Sequence, residues 1–320
     1  MTIPAPFPWF GGKRKIAADV WQRFGAVDNY VEPFFGSGAV LFGNPHPPQI
    51  ETVNDLDGFV ANFWRACKSA PEALAEIAES PVNENDLHAR HAWLLTQRAS
   101  LVERLEGDAD FYDVKIAAWW VWGVSCWIGS GWCSGRGPWV VEDGALVDGR
   151  NLPHLGNSGQ GVNRNRPHLG DSGQGRLVPW LAAIAERLAR VRVCSGDWSR
   201  VCGPSVTWKH GTTAVFLDPP YADTADRAGD LYAHDSLTVA HDVREWAIEE
   251  GKRADMRIAL CGYEGEHDMP STWAVQKWSA GSGFGGQAEE RTGNGVRERV
   301  WYSPACLSGR QGTLFTEAAR

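Results

Sequence analysis

Seven short, largely apolar runs punctuate this chain, around residues 30–32, 49–55, 191–197, 214–217, 256–261, 273–278 and 299–302. Between them lie segments that read as helix at 14–24, 58–78, 85–105, 111–122 and 237–250, and one long stretch, 126–178, that reads as irregular. Strands alternating with helices predict an α/β fold, a doubly wound, mostly parallel sheet covered on both faces. In such sheets ligands bind at the carboxyl ends of the strands. Glu32, Asp55, Asp197 and Asp218 all fall at such ends.

The most informative of these ends is Asp218-Pro219-Pro220-Tyr221, which follows the run 214–217. An exocyclic amino group on a nucleobase is conjugated with its ring, so its lone pair is a poor nucleophile until acceptors hold both N–H bonds. Asp218 can take one of these protons in a hydrogen bond, and the Pro219 carbonyl can take the other. The two prolines fix φ near −65° and remove backbone donors that would compete for those acceptors. Tyr221 offers a ring for stacking an extruded base, worth roughly 1–3 kcal/mol. Enzymes that do chemistry on a base generally take it out of the duplex first.

Upstream, Glu32-Pro33-Phe34-Phe35-Gly36-Ser37-Gly38 reads as a strand running into a glycine turn and then a helix. The glycines let the backbone pass close beneath a ligand, although the third glycine of the dinucleotide fingerprint is missing, which weakens a dehydrogenase reading. Glu32 is an acidic group able to face a cationic ligand. Near the start, Trp9-Phe10-Gly11-Gly12-Lys13 combines a glycine turn with a point charge suited to a carboxylate.

With Trp9–Lys13 first, Glu32–Gly38 next and Asp218–Tyr221 last, these three motifs resemble the Dam-type family of DNA adenine-N6 methyltransferases, which use S-adenosylmethionine. The resemblance extends from about residue 7 to 302. It implies a seven-stranded Rossmann-like methyltransferase sheet with an inserted DNA-recognition region. Trp9 to Lys13 then correspond to cofactor-contacting positions, and the loop from Glu32 to Gly38 wraps the methionine part. Asp55, with Asp57 as its neighbouring alternative, falls where the family binds the ribose hydroxyls, and Asp197 with Trp198 falls at the adenine end. The implied division is a catalytic, cofactor-binding domain at 1–80 and 178–305, a target-recognition insertion at 81–177, and a C-terminal tail at 306–320.

Composition is that of a cytoplasmic enzyme, in a bacterium or encoded by its phage. At 320 residues and 43% hydrophobic content there is enough material for one large α/β domain and a smaller insertion. Seven cysteines without a Cys-x-x-Cys pair read as reduced thiols. The most apolar segment, 116–129, is shorter than the roughly 20 residues of a membrane helix, and no signal peptide opens the chain. The net charge of −8 runs against nucleic-acid binding. Its distribution changes that picture, because Arg136, Arg150, Arg164, Arg166, Arg176, Arg187, Arg190, Arg192 and Arg200 make a basic face available.

The irregular segment contains a two-copy repeat within 151–175, offset by 14 residues (His154 to His168) and rich in groups that hydrogen-bond to base edges and phosphates. The alternative is a low-complexity spacer. Trp132 and Trp139, set among glycines near Arg136, are candidate DNA contacts together with Arg164 and Arg166, whereas Trp119, Trp120 and Trp122 read as helix packing. Cys126, Cys133, His154 and His168 match no zinc-finger spacing, so no metal site is expected. Further on, a glycine loop leads to Arg291, Asn294, Arg297 and Arg299, a candidate phosphate clamp or a hairpin. Gln311-Gly-Thr-Leu-Phe315 looks like the peptide by which bacterial proteins hook onto the replication sliding clamp, without the usual leucine after the glutamine.

These readings converge on methyl transfer to adenine N6 in DNA, without a metal, after base flipping. Cytosine-N4 transfer, or transfer to RNA or to protein glutamine, uses related motifs. A catalytically silent DNA-binding or clamp-associated protein is the alternative of a different class.

Overall fold

The computed structural model describes residues 3, 5–7, 13–127, 132–133, 177–220, 239–278 and 297–308, together with the backbone of 139–142 and 145–148. The parallel strands are β1 (Asn29–Glu32), β2 (Ile50–Asp55), β5 (Val191–Ser195), β6 (Thr213–Leu217) and β7 (Met256–Tyr263). With β8 (Ala274–Lys277) and β9 (Glu298–Tyr302) they form a seven-stranded sheet in the order β5-β2-β1-β6-β7-β9-β8. β9 runs antiparallel to both of its neighbours. The doubly wound, mostly parallel sheet expected from the sequence is present.

Alternation along the strands feeds two cores. Tyr30, Ala214, Phe216, Ala259, Cys261, Val300 and Tyr302 join one hydrophobic cluster, and their neighbours Val31, Val215, Leu217, Ile258, Leu260 and Trp301 join another. This is the period-2 consequence of pleating in strands buried on both sides. Against the first cluster pack α1 (Ala17–Phe24), α3 (Gly58–Ser69), α4 (Pro71–Ala78), α6 (Val114–Cys126) and α7 (Leu177–Leu188). α8 (Val239–Glu250) covers the second through Val243 and Ala247. α2 (Ala39–Phe42) is the single turn after β1, and α5 (Glu84–Gly107) adds Leu94, Leu101 and Leu105 to the first cluster.

Several expectations are revised. The helix expected over 58–78 is two helices, because Pro71 lacks an N–H and forces Ala70 out of the helical region, to φ −147° and ψ 54°. Pro71 then serves as the first residue of α4. The helix at 14–24 begins with a separate 3-10 turn, Lys13–Lys15. The one at 111–122 instead spans Val114–Cys126, started by Asp113, whose carboxylate accepts from the Ile116 N–H.

The segment read as irregular holds an antiparallel ribbon, β3 (Trp139–Glu142) with β4 (Ala145–Asp148). α7 was missed beyond it, although its buried Leu177, Leu181, Ile184 and Leu188 carry helical spacing. The repeat at 151–175 and the segment Gln311–Phe315 lie outside the described residues. Among the described residues no helix is long and apolar enough to cross a membrane.

Not every arginine assigned to a basic face is available for one. Arg187 reaches into the fold and forms a two-pronged pair with the buried Glu51, at 2.6 Å to each carboxylate oxygen. Arg200 donates to the Ser195 carbonyl. Arg190, Arg192 and Arg200 remain exposed. Removing one partner of a buried pair strands the other charge, at a cost of about 3–5 kcal/mol. Urea unfolding of Arg187→Ala should show that loss, and Arg187→Met combined with Glu51→Leu should recover most of it. An Arg187→Ala protein as stable as the wild type would reduce the pair to the strength of a surface contact.

Candidate active site

The strand order places the carboxyl ends of β5, β2, β1 and β6 side by side. Asp197, Asp55, Glu32 and Asp218 are therefore neighbours along one edge of the sheet, although 186 residues separate Glu32 from Asp218 in sequence. The chain winds outward from β1 to β2 and β5 on one side, and to β6 and β7 on the other. Such a switch point leaves a crevice above the strand ends.

The loop after β1 is held there by buried donors and acceptors. Gly36 and Gly38 have φ of 46° and 69°, left-handed values that favour glycine. A Cβ on Gly38 would sit 2.8 Å from ring atoms of both Phe35 and Phe42. The Phe35 N–H donates to the Asn54 carbonyl at 2.9 Å, and the Gly36 N–H donates to Asp55 Oδ2 at 2.8 Å. The Gly36 carbonyl accepts from Trp64 Nε1 at 2.9 Å. Asn54 Nδ2 donates to both the Pro33 and Gly196 carbonyls, at 3.1 and 2.9 Å, stapling the loops after β1 and β5 together.

Within this frame the acids differ in role. Asp55 Oδ1 also accepts from the Asp57 N–H at 2.9 Å, so both of its oxygens latch backbone. Burial pushes its carboxyl up to about 7, against the backbone N–H groups of Gly36 and Asp57 that favour the charged form. Asp57 caps α3 by accepting from the Phe59 N–H at 2.9 Å. Burial also raises the Glu32 carboxyl well above the usual range, opposed by the Tyr30 hydroxyl, which donates to Oε2 at 2.8 Å. Asp197 is exposed and caps the turn Trp198–Val201 through the Ser199 N–H. The Phe34 and Trp198 rings lie nearly parallel, with centroids 6.4 Å apart.

At the end of β6, Asp218 Oδ1 meets Lys13 Nζ at 2.9 Å. Lys13 is buried, 4.0 Å from Glu298 Oε2 and 5.3 Å from the centre of the Trp278 ring. Burial works against its positive charge, and the carboxylates of Asp218 and Glu298 outweigh that penalty, so the ammonium is held charged above the ordinary lysine range. Pro219 is buried and Pro220 half-buried. The edge can thus hold a carboxylate acceptor in a low-dielectric setting, next to a backbone corner without side chains.

Lys13, the 32–38 loop, Asp55, Asp197, Trp198 and the segment 218–220 come to this edge. Trp9, Phe10, Gly11, Gly12, Tyr221, Arg136, Arg164, Arg166 and Arg291 lie outside the described residues, as does the side chain of Trp139. Trp132, read as a DNA contact, instead packs between helices. Its Nε1 donates to the Trp120 carbonyl at 3.1 Å and its ring stacks on His91 at 4.9 Å, in space left by Gly123.

Arg297 lies over the Tyr263 ring at 5.5 Å. Arg299 is buried against Glu264 at 2.6 Å, which removes it from a phosphate clamp. Asn54, Trp64 and Glu298 were not anticipated as site residues. The one signal for Asn54 was a polar residue inside an apolar strand, and Trp64 and Glu298 act from elements whose approach no local pattern shows. Among the described residues no group of three or more His, Cys, Asp or Glu is placed to hold a metal ion.

The sheet order, with an antiparallel strand near the far edge, flanking helices and a region inserted between β2 and β5, is that of a Rossmann-like methyltransferase fold. Over residues 9–114 the chain matches the model of the D12 class N6 adenine-specific DNA methyltransferase family, in agreement with the resemblance carried by its motifs. It is also similar to the type II methyltransferase M1.LlaDCHI of Lactococcus lactis subsp. cremoris, with 33% identity over 78 residues. That match spans 24% of this chain and 27% of the relative.

Asp55 yields a test of the latch. An acid whose carboxyl is raised in the fold contributes stability below its unfolded value and loses it as pH rises through the folded one. The unfolding free energy of the wild type, relative to Asp55→Asn, should therefore fall as pH rises from about 4 to about 7. Urea titrations of both proteins across that range measure it, and the opposite trend would mean that the two N–H donors outweigh burial.

Proposed function

We propose that this chain is a DNA methyltransferase that acts on the N6 amino group of adenine, flipped out of the duplex, with S-adenosylmethionine as donor. The observation that carries the reading is the half-buried Asp218 carboxylate at the end of β6, held by the buried Lys13 and set one strand from the glycine corner on β1. The family match and the partial similarity to a type II methyltransferase support it.

The residues at the edge fit the donor chemically. The tight left-handed corner at Gly36 and Gly38 suits close approach of a ligand to the backbone, and carboxylates at successive strand ends suit a cation and a diol. In this reading Trp9, Phe10, Gly11, Gly12 and Lys13 receive the amino-acid end, with the loop from Glu32 through Pro33, Phe34, Phe35, Gly36, Ser37 and Gly38 beneath it. Asp55 takes the ribose hydroxyls, and Asp197 with Trp198 borders the adenine. When bound, S-adenosylmethionine supplies a methyl group on a cationic sulfur.

The protein's own part is to make the acceptor nitrogen nucleophilic and to place it. Asp218 accepts one amino N–H and the Pro219 carbonyl accepts the other, which localises the lone pair on nitrogen. Pro220 stiffens the turn, and Tyr221 stacks on the flipped base. Holding the reacting atoms in a near-attack arrangement supplies much of the rate. Trp139, Arg136, Arg164, Arg166, Arg291 and Arg297 are assigned to the DNA strand, where phosphate contacts set affinity and register.

Incubating unmethylated genomic DNA with the protein and labelled donor, then identifying the modified nucleoside by mass spectrometry, should give N6-methyladenine. N4-methylcytosine would redirect the reading to the other base, and no modified nucleoside would sink it. Asp218→Ala should lower transfer by on the order of 10²–10³-fold or more, the scale on which loss of one preorganised transition-state partner is felt. Donor binding, followed by calorimetry, should remain measurable in that variant.

A further inference from the structure

The methyl-transfer reading leaves a difficulty at Asp218. The carboxylate that must turn to the substrate's amino group already has Oδ1 engaged by Lys13 at 2.9 Å. Lys13 is 4% exposed, so its ammonium depends on nearby carboxylates for counter-charge. A second carboxylate stands at the right place. Glu298, equally buried, brings Oε2 within 4.0 Å of the same ammonium.

Topology explains how it gets there. The five parallel strands end at the catalytic edge, whereas β9 is antiparallel to β7 and begins there, with Glu298 in register with Tyr263 at the end of β7. The first residue of a late strand therefore faces the 3-10 turn Lys13–Lys15 near the start of the chain. Its successor Arg299 is tied to Glu264 at 2.6 Å, and that pair fixes the start of the strand. The Tyr263 hydroxyl is pushed up to about 12, first by burial and then by the Glu298 charge, so it stays protonated beside Glu298.

We propose that Glu298 is a positioning residue that retains the Lys13 ammonium when Asp218 turns to the acceptor amino group. Lys13 then moves its hydrogen bond from one carboxylate to the other without leaving a counter-charge. Asp218 can then turn toward the amino N–H, and the site keeps one cation between two anions throughout. The inference rests on the methyl-transfer reading for its consequence, and on the Lys13–Glu298 contact for its structure.

Single-turnover transfer to unmethylated genomic DNA, with donor affinity measured in parallel, tests it in the full chain. Glu298→Gln should slow transfer by about tenfold while changing donor affinity less than about twofold, and Glu298→Asp should recover part of the rate. If Glu298 acts through Lys13, then Lys13→Gln combined with Glu298→Gln is no slower than Lys13→Gln alone, the non-additivity expected of coupled neighbours. Wild-type transfer with a Glu298→Gln rate equal to it, or with losses that simply multiply, would overturn the role of Glu298 and leave the methyl-transfer reading standing. A wild-type protein that produces no methylated nucleoside overturns that reading instead. Wild type, Lys13→Gln, Glu298→Gln and the double variant compared in urea report on the contact whether or not transfer occurs, and independent effects of the two substitutions there would remove its structural basis.

Discussion

The ion pair between Lys13 and Asp218 sets the terms for everything at the catalytic edge. A carboxylate at the end of a strand buried on both faces is costly to desolvate, and a facing ammonium repays that cost only when both are held in good geometry. The two residues are 205 positions apart in sequence, and 2.9 Å apart in the fold. The pair thus joins the opening turn of the chain to the fourth strand of the main sheet and keeps a charged acceptor where water is scarce.

The rest of the edge is a system of latches around that pair. Asn54 bridges the loops after β1 and β5, Asp55 and Trp64 hold Gly36 from either side, and the Tyr30 hydroxyl steadies Glu32. Each latch satisfies a buried polar group, as an interior of low dielectric requires. Their combined effect is to fix the glycine corner relative to Asp218. The acids at the strand ends therefore divide into two kinds: Asp55 and Glu32 are committed at least in part to the protein's own backbone and hydroxyl groups, whereas Asp218 is paired with a side chain that can exchange partners.

The architecture was legible wherever local chemistry decided it. Apolar runs ending on acids located the parallel strands, and the motifs at 32–38 and 218–221 located the edge. The sequence reading failed where one residue overrode a longer pattern or where the partner was distant. Pro71 split a helix that hydropathy alone would continue, because its ring bars the preceding residue from the helical region and its missing N–H cannot bond the carbonyl four residues back. Trp132 looked like a surface aromatic among glycines, yet a glycine of the preceding helix, Gly123, leaves the gap that admits its indole. Arg187 counted toward a basic face until Glu51, 136 residues away, claimed it.

By itself the sequence determined the strands of the main sheet, the strand-end position of four acids, the glycine corner and the acceptor turn, since each depends on backbone preference or on a residue and its immediate neighbours. Tertiary structure alone decided which acid pairs with Lys13, which arginines are already neutralised, and that Glu298 enters the site from the antiparallel strand. Those outcomes depend on strand order and direction. Both are set by how two cores pack against the sheet, and that packing is a sum over residues far apart along the chain.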